Sequence, residues 1–200
     1  MNILRRRWIL AVSILLSWPA IGSTQSGWNA EALMRDLAMV KEAELTFVEF
    51  RTSTFLIDEI RLTGRLRYRA PDFIEKSVES PYLQVTTIDG DSISIQKTSG
   101  RGQSDIRHYS LTSSEALQTA VEGIRATLSG NYAYLKESYE LELTGDRDNW
   151  SVTLVPRAPG MKEVLEKIRV SGGGGRITDI DTTKADGDES RLSLSYQNVR

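Results

Sequence analysis

Apolar and polar positions along the chain change period several times, and each change marks an element. From Ser26 to Val40, Leu33, Leu37 and Val40 share a face with Ala30 and Met34 at spacings of three and four, while Glu31 and Asp36 fall outside it, which predicts an amphipathic helix. From Ala43 the period drops to two: Leu45, Phe47 and Glu49 alternate with Thr46, Val48 and Phe50, residue types that favour strand. Further strands are predicted over 59–69, 73–79, 82–88, 92–98 and 104–111. They are separated by Pro71, Pro81, Asp89-Gly90-Asp91 and Ser99-Gly100-Arg101-Gly102. Connections this short join antiparallel neighbours.

The ladder is interrupted once. Thr112 and Glu115 have the spacing of a capping box, and behind them Leu117, Ala120, Val121, Ile124 and Leu128 form a helical stripe that Gly130 terminates. A shorter helical turn carries Tyr132, Leu135 and Tyr139. Strands resume over 140–143, 150–155, 163–170, 176–182 and 191–196, with turns at 145–149, 172–175 and 186–188. This order of elements predicts an α+β domain built on one antiparallel meander.

The N-terminus changes where that domain is expected to work. Arg5, Arg6 and Arg7 precede the apolar run Trp8 to Trp18, and the small residues Ala20 and Gly22 follow, the layout of a secretory signal peptide with cleavage expected after Gly22. The run is shorter than the roughly 20 apolar residues of a membrane span, and no later segment comes close. Residues 1–22 are therefore expected to be a cleaved signal, and 23–200 a single exported, soluble domain. Removing the three arginines takes the formal charge from −2 to −5, which argues against binding nucleic acid or anionic bilayers by charge. No cysteine is present, so there is neither a disulfide nor a lipid-modified cysteine to tether the mature chain.

Catalytic and metal chemistry find little material. His108 is the only histidine, and with no cysteine the common zinc and nucleophile–base arrangements cannot be assembled. Ser94 and Lys97 have the Ser-x-x-Lys spacing of serine acyl-enzymes, but on a strand an odd offset sends the two side chains to opposite faces. The acidic turns at 89–91, 146–148 and 186–188 lack the regular ligand spacing and closing glutamate of a calcium loop, and read as hairpin turns. No glycine-rich phosphate loop or dinucleotide fingerprint occurs. The chain is thus expected to have no catalytic residues, no metal and no cofactor.

One stretch points to a family. From Ile60 to Ile95, Leu62, Gly64, Leu66 and Tyr68 recur at period two, Arg69-Ala70-Pro71-Asp72 stops the ladder, and a second strand pair hinges on Ile88-Asp89-Gly90-Asp91. With the preceding helix, the strand phenylalanine Phe47, and Leu154-Val155-Pro156-Arg157 followed by the strand bearing Ile168 and Val170, this order resembles the periplasmic lipoprotein carrier family (LolA-like) over about residues 30–196. The resemblance implies a curved antiparallel sheet forming an unclosed half-barrel, covered by amphipathic lid helices at 30–40 and 113–138. It implies an apolar cavity for acyl chains, with Leu45, Phe47, Leu62, Leu66, Tyr68, Leu83, Val85, Ile93, Ile95 and Trp150 as lining candidates. Leu33, Leu37, Leu117, Val121, Ile124 and Leu128 are the lid candidates.

The function implied is a monomeric carrier of a lipoprotein's acyl chains, or of another lipid, taking cargo from an inner-membrane donor to an outer-membrane acceptor. Acyl burial is worth about 0.8 kcal/mol per methylene, so one sixteen-carbon chain brings roughly 12 kcal/mol before costs. A shuttle therefore needs a lid whose self-packed state competes with cargo. The family has a basic residue before the proline of its second strand turn, held to close that lid, and this chain has Ala70 there. The alternative is a non-transporting envelope sensor or interaction module of the same fold.

Overall fold

The first and last strands of the chain pair with each other, and that pairing organises the whole molecule. In the computed structural model, which describes residues 28–54, 58–100 and 102–196, β1 (Glu42–Thr52) lies antiparallel to β11 (Glu189–Tyr196), with Phe47 opposite Leu194 and Glu49 opposite Leu192. On its other side β1 pairs with β2 (Ile60–Arg69). The meander continues outward through β3 (Phe73–Ser80), β4 (Leu83–Asp89), β5 (Ser92–Thr98) and β6 (Ser104–Ser110). Beyond β11 come β10 (Arg176–Lys184), β9 (Leu165–Gly173), β8 (Trp150–Pro156) and β7 (Tyr139–Gly145). Strands β6 and β7 are the two edges of this eleven-stranded sheet and do not meet, so the half-barrel stays unclosed. The signal-peptide expectation for residues 1–22 lies outside the described residues.

Alternation decides which side chains face inward. Ala43, Leu45, Phe47 and Glu49 of β1 share a face with Leu62, Gly64, Leu66 and Tyr68 of β2, and with Ile74, Lys76 and Val78 of β3. Four helices cover that face: α1 (Ala30–Ala38), α2 (Glu115–Ser129), α3 (Tyr132–Ser138) and the short α4 (Pro159–Lys162). Leu33, Met34 and Leu37 of α1, Ala126 of α2, Leu135 of α3 and Met161 of α4 join Phe47, Leu62, Trp150, Leu154 and Ile168 in one core. A smaller cluster of Ile93, Leu111 and Val121 sits nearer the β5 side. No helix of the described residues is long and apolar enough to cross a membrane.

Helix ends follow local chemistry, with two departures from expectation. The Asn29 side chain caps α1 by accepting from the Ala32 N–H at 2.9 Å. The expected cap Thr112 instead lies in a 3₁₀ turn over Leu111–Ser113, and Ser114 caps α2, its hydroxyl accepting from the Leu117 N–H at 3.3 Å. The 3₁₀ turn takes up the two residues by which the expectation missed. At the far end Gly130 has φ 70°, a left-handed position glycine adopts without penalty. Tyr139, expected at the end of a helical turn, opens β7 and is fully buried there. The acidic turns behave as turns: the Asp146 carboxylate accepts from the N–H groups of Asp148 and Asn149, both at 3.0 Å.

Candidate functional site

Two adjoining cavities lie between the inner face of the sheet and helices α1 and α2. The inner one, about 60 Å³, is lined by Leu45, Leu66, Tyr68 and Ile74 from one flank of the sheet, by Ile177, Ile180, Leu194 and Tyr196 from the other, and by Leu37, Ile124 and Leu128 from the helices. The outer one, about 240 Å³, shares Leu66, Ile74, Ile124 and Ile180 with it and adds Ile88, Val121 and Leu192. Both flanks contribute because β1 and β11 pair at the centre, placing the inward rows of β2–β4 and of β10 on either side of one trough. An apolar cavity of about 150 Å³ is enough to admit benzene, so the outer chamber has room for a segment of hydrocarbon. A longer chain requires the helices to lift.

The outer chamber also has a charged wall. Glu49, inward on β1 and 3% exposed, accepts from Arg51 Nε at 2.9 Å, from Arg51 Nη2 at 3.3 Å, from Ser190 Oγ at 2.6 Å and from the Lys76 ammonium. Burial pulls its pKa up, but the Lys76 charge and these hydrogen bonds outweigh it and hold the carboxyl below the usual carboxylate range. The Lys76 ammonium lies 4.9 Å from the centre of the Phe47 ring. Burial pushes its pKa down, and Glu49 offsets part of that.

Helix α2 is held over the trough by a buried arginine. Arg125, 5% exposed, donates to the Asp72 carbonyl oxygen at 2.8 Å, the Gly90 carbonyl oxygen at 2.5 Å and Glu122 Oε1 at 2.8 Å. Asp72 and Gly90 belong to the β2–β3 and β4–β5 turns, so one side chain fastens the helix to two hairpin ends. Behind it, the Tyr139 hydroxyl donates to the Thr119 carbonyl oxygen at 2.6 Å, and burial pushes the phenol pKa far up. The Tyr68 hydroxyl is buried with no partner.

Of the sequence-derived lining candidates, Leu45, Leu66 and Tyr68 reach the cavities. Phe47, Leu62 and Trp150 lie instead in the core cluster, Trp150 with its indole N–H donating to the Gly174 carbonyl oxygen at 2.9 Å. Ile93 and Ile95 face inward but pack in or against the smaller cluster. Leu83 and Val85 are corrected: the inward row of β4 is Gln84, Thr86 and Ile88, so both fall on the opposite face, and Leu83 is 52% exposed. Of the lid candidates, Leu37, Val121, Ile124 and Leu128 line the cavities and Leu33 is in the core, whereas Leu117 is 39% exposed on the first turn of α2 and is likewise corrected.

The residues missed are mostly polar. Glu49 continues the inward row Leu45–Phe47, Lys76 sits between Ile74 and Val78, and Arg125 follows Val121 by four. Each is a charge at an apolar position of its own element, a signal present in the sequence.

A family model for the outer membrane lipoprotein carrier protein LolA-like proteins matches residues 22–197. Among solved structures, a LolA superfamily protein from Nitrosomonas europaea is 11% identical with TM-score 0.42, covering 86% of this chain and 96% of its own. The Pseudomonas aeruginosa MucA/MucB complex is also 11% identical with TM-score 0.42, covering 84% of this chain and 56% of its own. An outer membrane lipoprotein-sorting protein domain from Vibrio parahaemolyticus is 11% identical with TM-score 0.39, covering 86% and 95%. No curated protein matches the chain.

Proposed function

Because the chain belongs to the LolA-like family of outer membrane lipoprotein carrier proteins, we propose that it is a periplasmic carrier that takes up the acyl chains of a lipoprotein or lipid beneath α1 and α2 and moves them towards the outer membrane. The observation that carries this reading is the apolar trough between sheet and helices, already open to about 240 Å³ on its outer side. Ile124 and Val121 present the same helical stripe to the sheet when the lid is down and to an acyl chain when it is raised. Helix–sheet contacts then offset part of the roughly 0.8 kcal/mol per methylene gained by the cargo, which keeps binding reversible. The carrier works as a monomer, between a donor at the inner membrane and an acceptor at the outer.

A second reading, an envelope sensor or interaction module that transports nothing, draws on a different surface. Tyr82, Leu83, Ile106 and Tyr109 are exposed near the unpaired edge strand β6, which offers backbone donors and acceptors to a partner strand. Purification from the native host followed by organic extraction and lipid mass spectrometry tests the carrier reading, with transfer of the extracted lipid to acceptor liposomes as the second step. A lipid-free protein that transfers nothing leaves only the module.

A further inference from the structure

The outer chamber is bipolar, and its polar end is what a container for hydrocarbon alone does not need. The wall it shares with the inner cavity is apolar (Leu66, Ile74, Ile124, Ile180), whereas the wall it does not share carries all of its polar residues, Glu49, Lys76, Thr86, Thr182 and Ser190, beside Ile88, Val121 and Leu192. Burying an ion pair costs each ion its hydration, and well-packed apolar residues of similar volume commonly serve stability as well or better. The pair therefore calls for a role beyond holding the sheet together.

Counting donors and acceptors shows what is left over. Glu49 accepts four hydrogen bonds, from Arg51 twice, Ser190 and Lys76, which fills its two oxygens. Lys76 has three N–H donors and, among the described residues, meets one acceptor, the Glu49 carboxylate, with the Phe47 ring beneath it. The sheet thus brings two cations and one carboxylate to this end. On α2, Arg125 and Glu122 pair with each other. Among the described residues, the polar end thus has ammonium donors to spare and one positive charge in excess of its carboxylate, with the hydroxyls of Thr86, Thr182 and Ser190 beside them.

We propose that the chamber binds a single-chain lipid with an anionic head group, the head on the Lys76 ammonium and the chain running past Leu66 and Ile74 towards the inner cavity. The inference rests on the acyl-binding reading above and narrows it. With the helices down, about 240 Å³ leading into about 60 Å³ holds part of one chain, and the room gained as the helices lift goes first to the rest of that chain. The match of charge distinguishes a fatty carboxylate or an alkyl phosphate from the uncharged ester and amide groups that carry acyl chains on proteins.

The test compares palmitate, hexadecyl phosphate and methyl palmitate as competitors for a neutral fluorescent lipid, below their micellar concentrations. Wild-type protein is expected to bind at least one anion about tenfold or more tighter than the methyl ester. Lys76→Met, which keeps the stem, should bring all three within about threefold of one another, and Lys76→Arg should keep the preference. Equal binding of ester and anions by the wild type overturns the head-group site and leaves the acyl-binding reading standing. No binding of any of the three overturns both. The wild-type comparison decides even where the Met variant does not fold.

Discussion

Arg125 on α2 reaches the carbonyl oxygen of Asp72 at 2.8 Å, so the helix over the trough is tied to the turn that follows Pro71. The family resemblance leads one to expect a basic residue on the sheet, at position 70, closing the lid from below. Here the basic side chain comes from the helix and the acceptors are backbone carbonyls of the sheet's turns. Removing the guanidinium should therefore loosen α2 without emptying the core.

Arg125→Met is expected to lower stability by about 1.5–3 kcal/mol, the range for hydrogen bonds to a charged group. It should also raise amide exchange across 115–129 more than across β8 and β9. A fluorescent fatty acid should dissociate faster from the variant. Unchanged exchange in α2 would show that Arg125 does not hold the helix down.

The charged wall gives stability a pH dependence. Glu49 has a lower pKa folded than unfolded, because Lys76, Arg51 and Ser190 together outweigh its burial. Its contribution is complete above the ordinary carboxylate range and is lost as pH falls through the lowered value. Burial shifts Lys76 down from the alkaline side, and Glu49 offsets part of that. Acid unfolding of Glu49→Gln should be flatter with pH in that window than wild type. The variant should be less stable by about 3 kcal/mol at neutral pH, since buried Lys76 loses its counter-ion. Parallel acid profiles for the two proteins would mean that Glu49 is not ionised in the fold.

Much of the architecture was legible from period alone. Strands β1 to β11 follow the alternation, because Pro71, Pro81 and the Asp-Gly turns punctuate it, and α2 follows the stripe Val121–Ile124–Leu128. What period could not provide was the side of the sheet. Leu83 and Val85 look like lining residues because they are apolar, yet in β4 the inward row carries Gln84 and Thr86, whose polarity suits a wall facing a chamber and not a sealed core. Nor does a sequence without pairing information show that β1 would meet β11, which alone brings Ile180, Leu194 and Tyr196 to the cavity. The charged residues of the site were visible as exceptions to their own stripes, and an exception acquires meaning only when its partner on another strand is known.

The two faces of α2 and β4 make a direct contrast. Ile124→Glu places a carboxylate between both cavities and should lower the melting temperature and abolish lipid retention. Leu117→Glu and Leu83→Glu change exposed positions and should stay within about 0.5 kcal/mol of wild type, with lipid retention intact. Thermal melts and a lipid-release assay on the three variants are sufficient. A loss in Leu117→Glu equal to that in Ile124→Glu would mean that the start of α2 packs against the sheet.

Gly123 provides a test in which two physical effects have opposite sign. It lies inside α2, where replacing glycine by alanine normally stabilises a helix by about 1 kcal/mol. A Cβ built at Gly123, however, would lie 2.3 Å from the Tyr139 hydroxyl oxygen and 2.8 Å from its ring carbon Cζ. Tyr139 cannot swing aside cheaply, being fully buried at the start of β7 with its hydroxyl committed to the Thr119 carbonyl. The alanine must therefore push α2 away from the sheet or break that hydrogen bond. Overpacking of this kind costs about 1–3 kcal/mol and outweighs the gain in propensity. Gly123→Ala is expected to be less stable than wild type in urea, whereas Gly123→Ala with Tyr139→Phe should recover part of the loss, because the clashing oxygen is gone. If Gly123→Ala alone proves more stable than wild type, α2 does not rest on Tyr139 and the lid sits higher above the sheet than the structure places it.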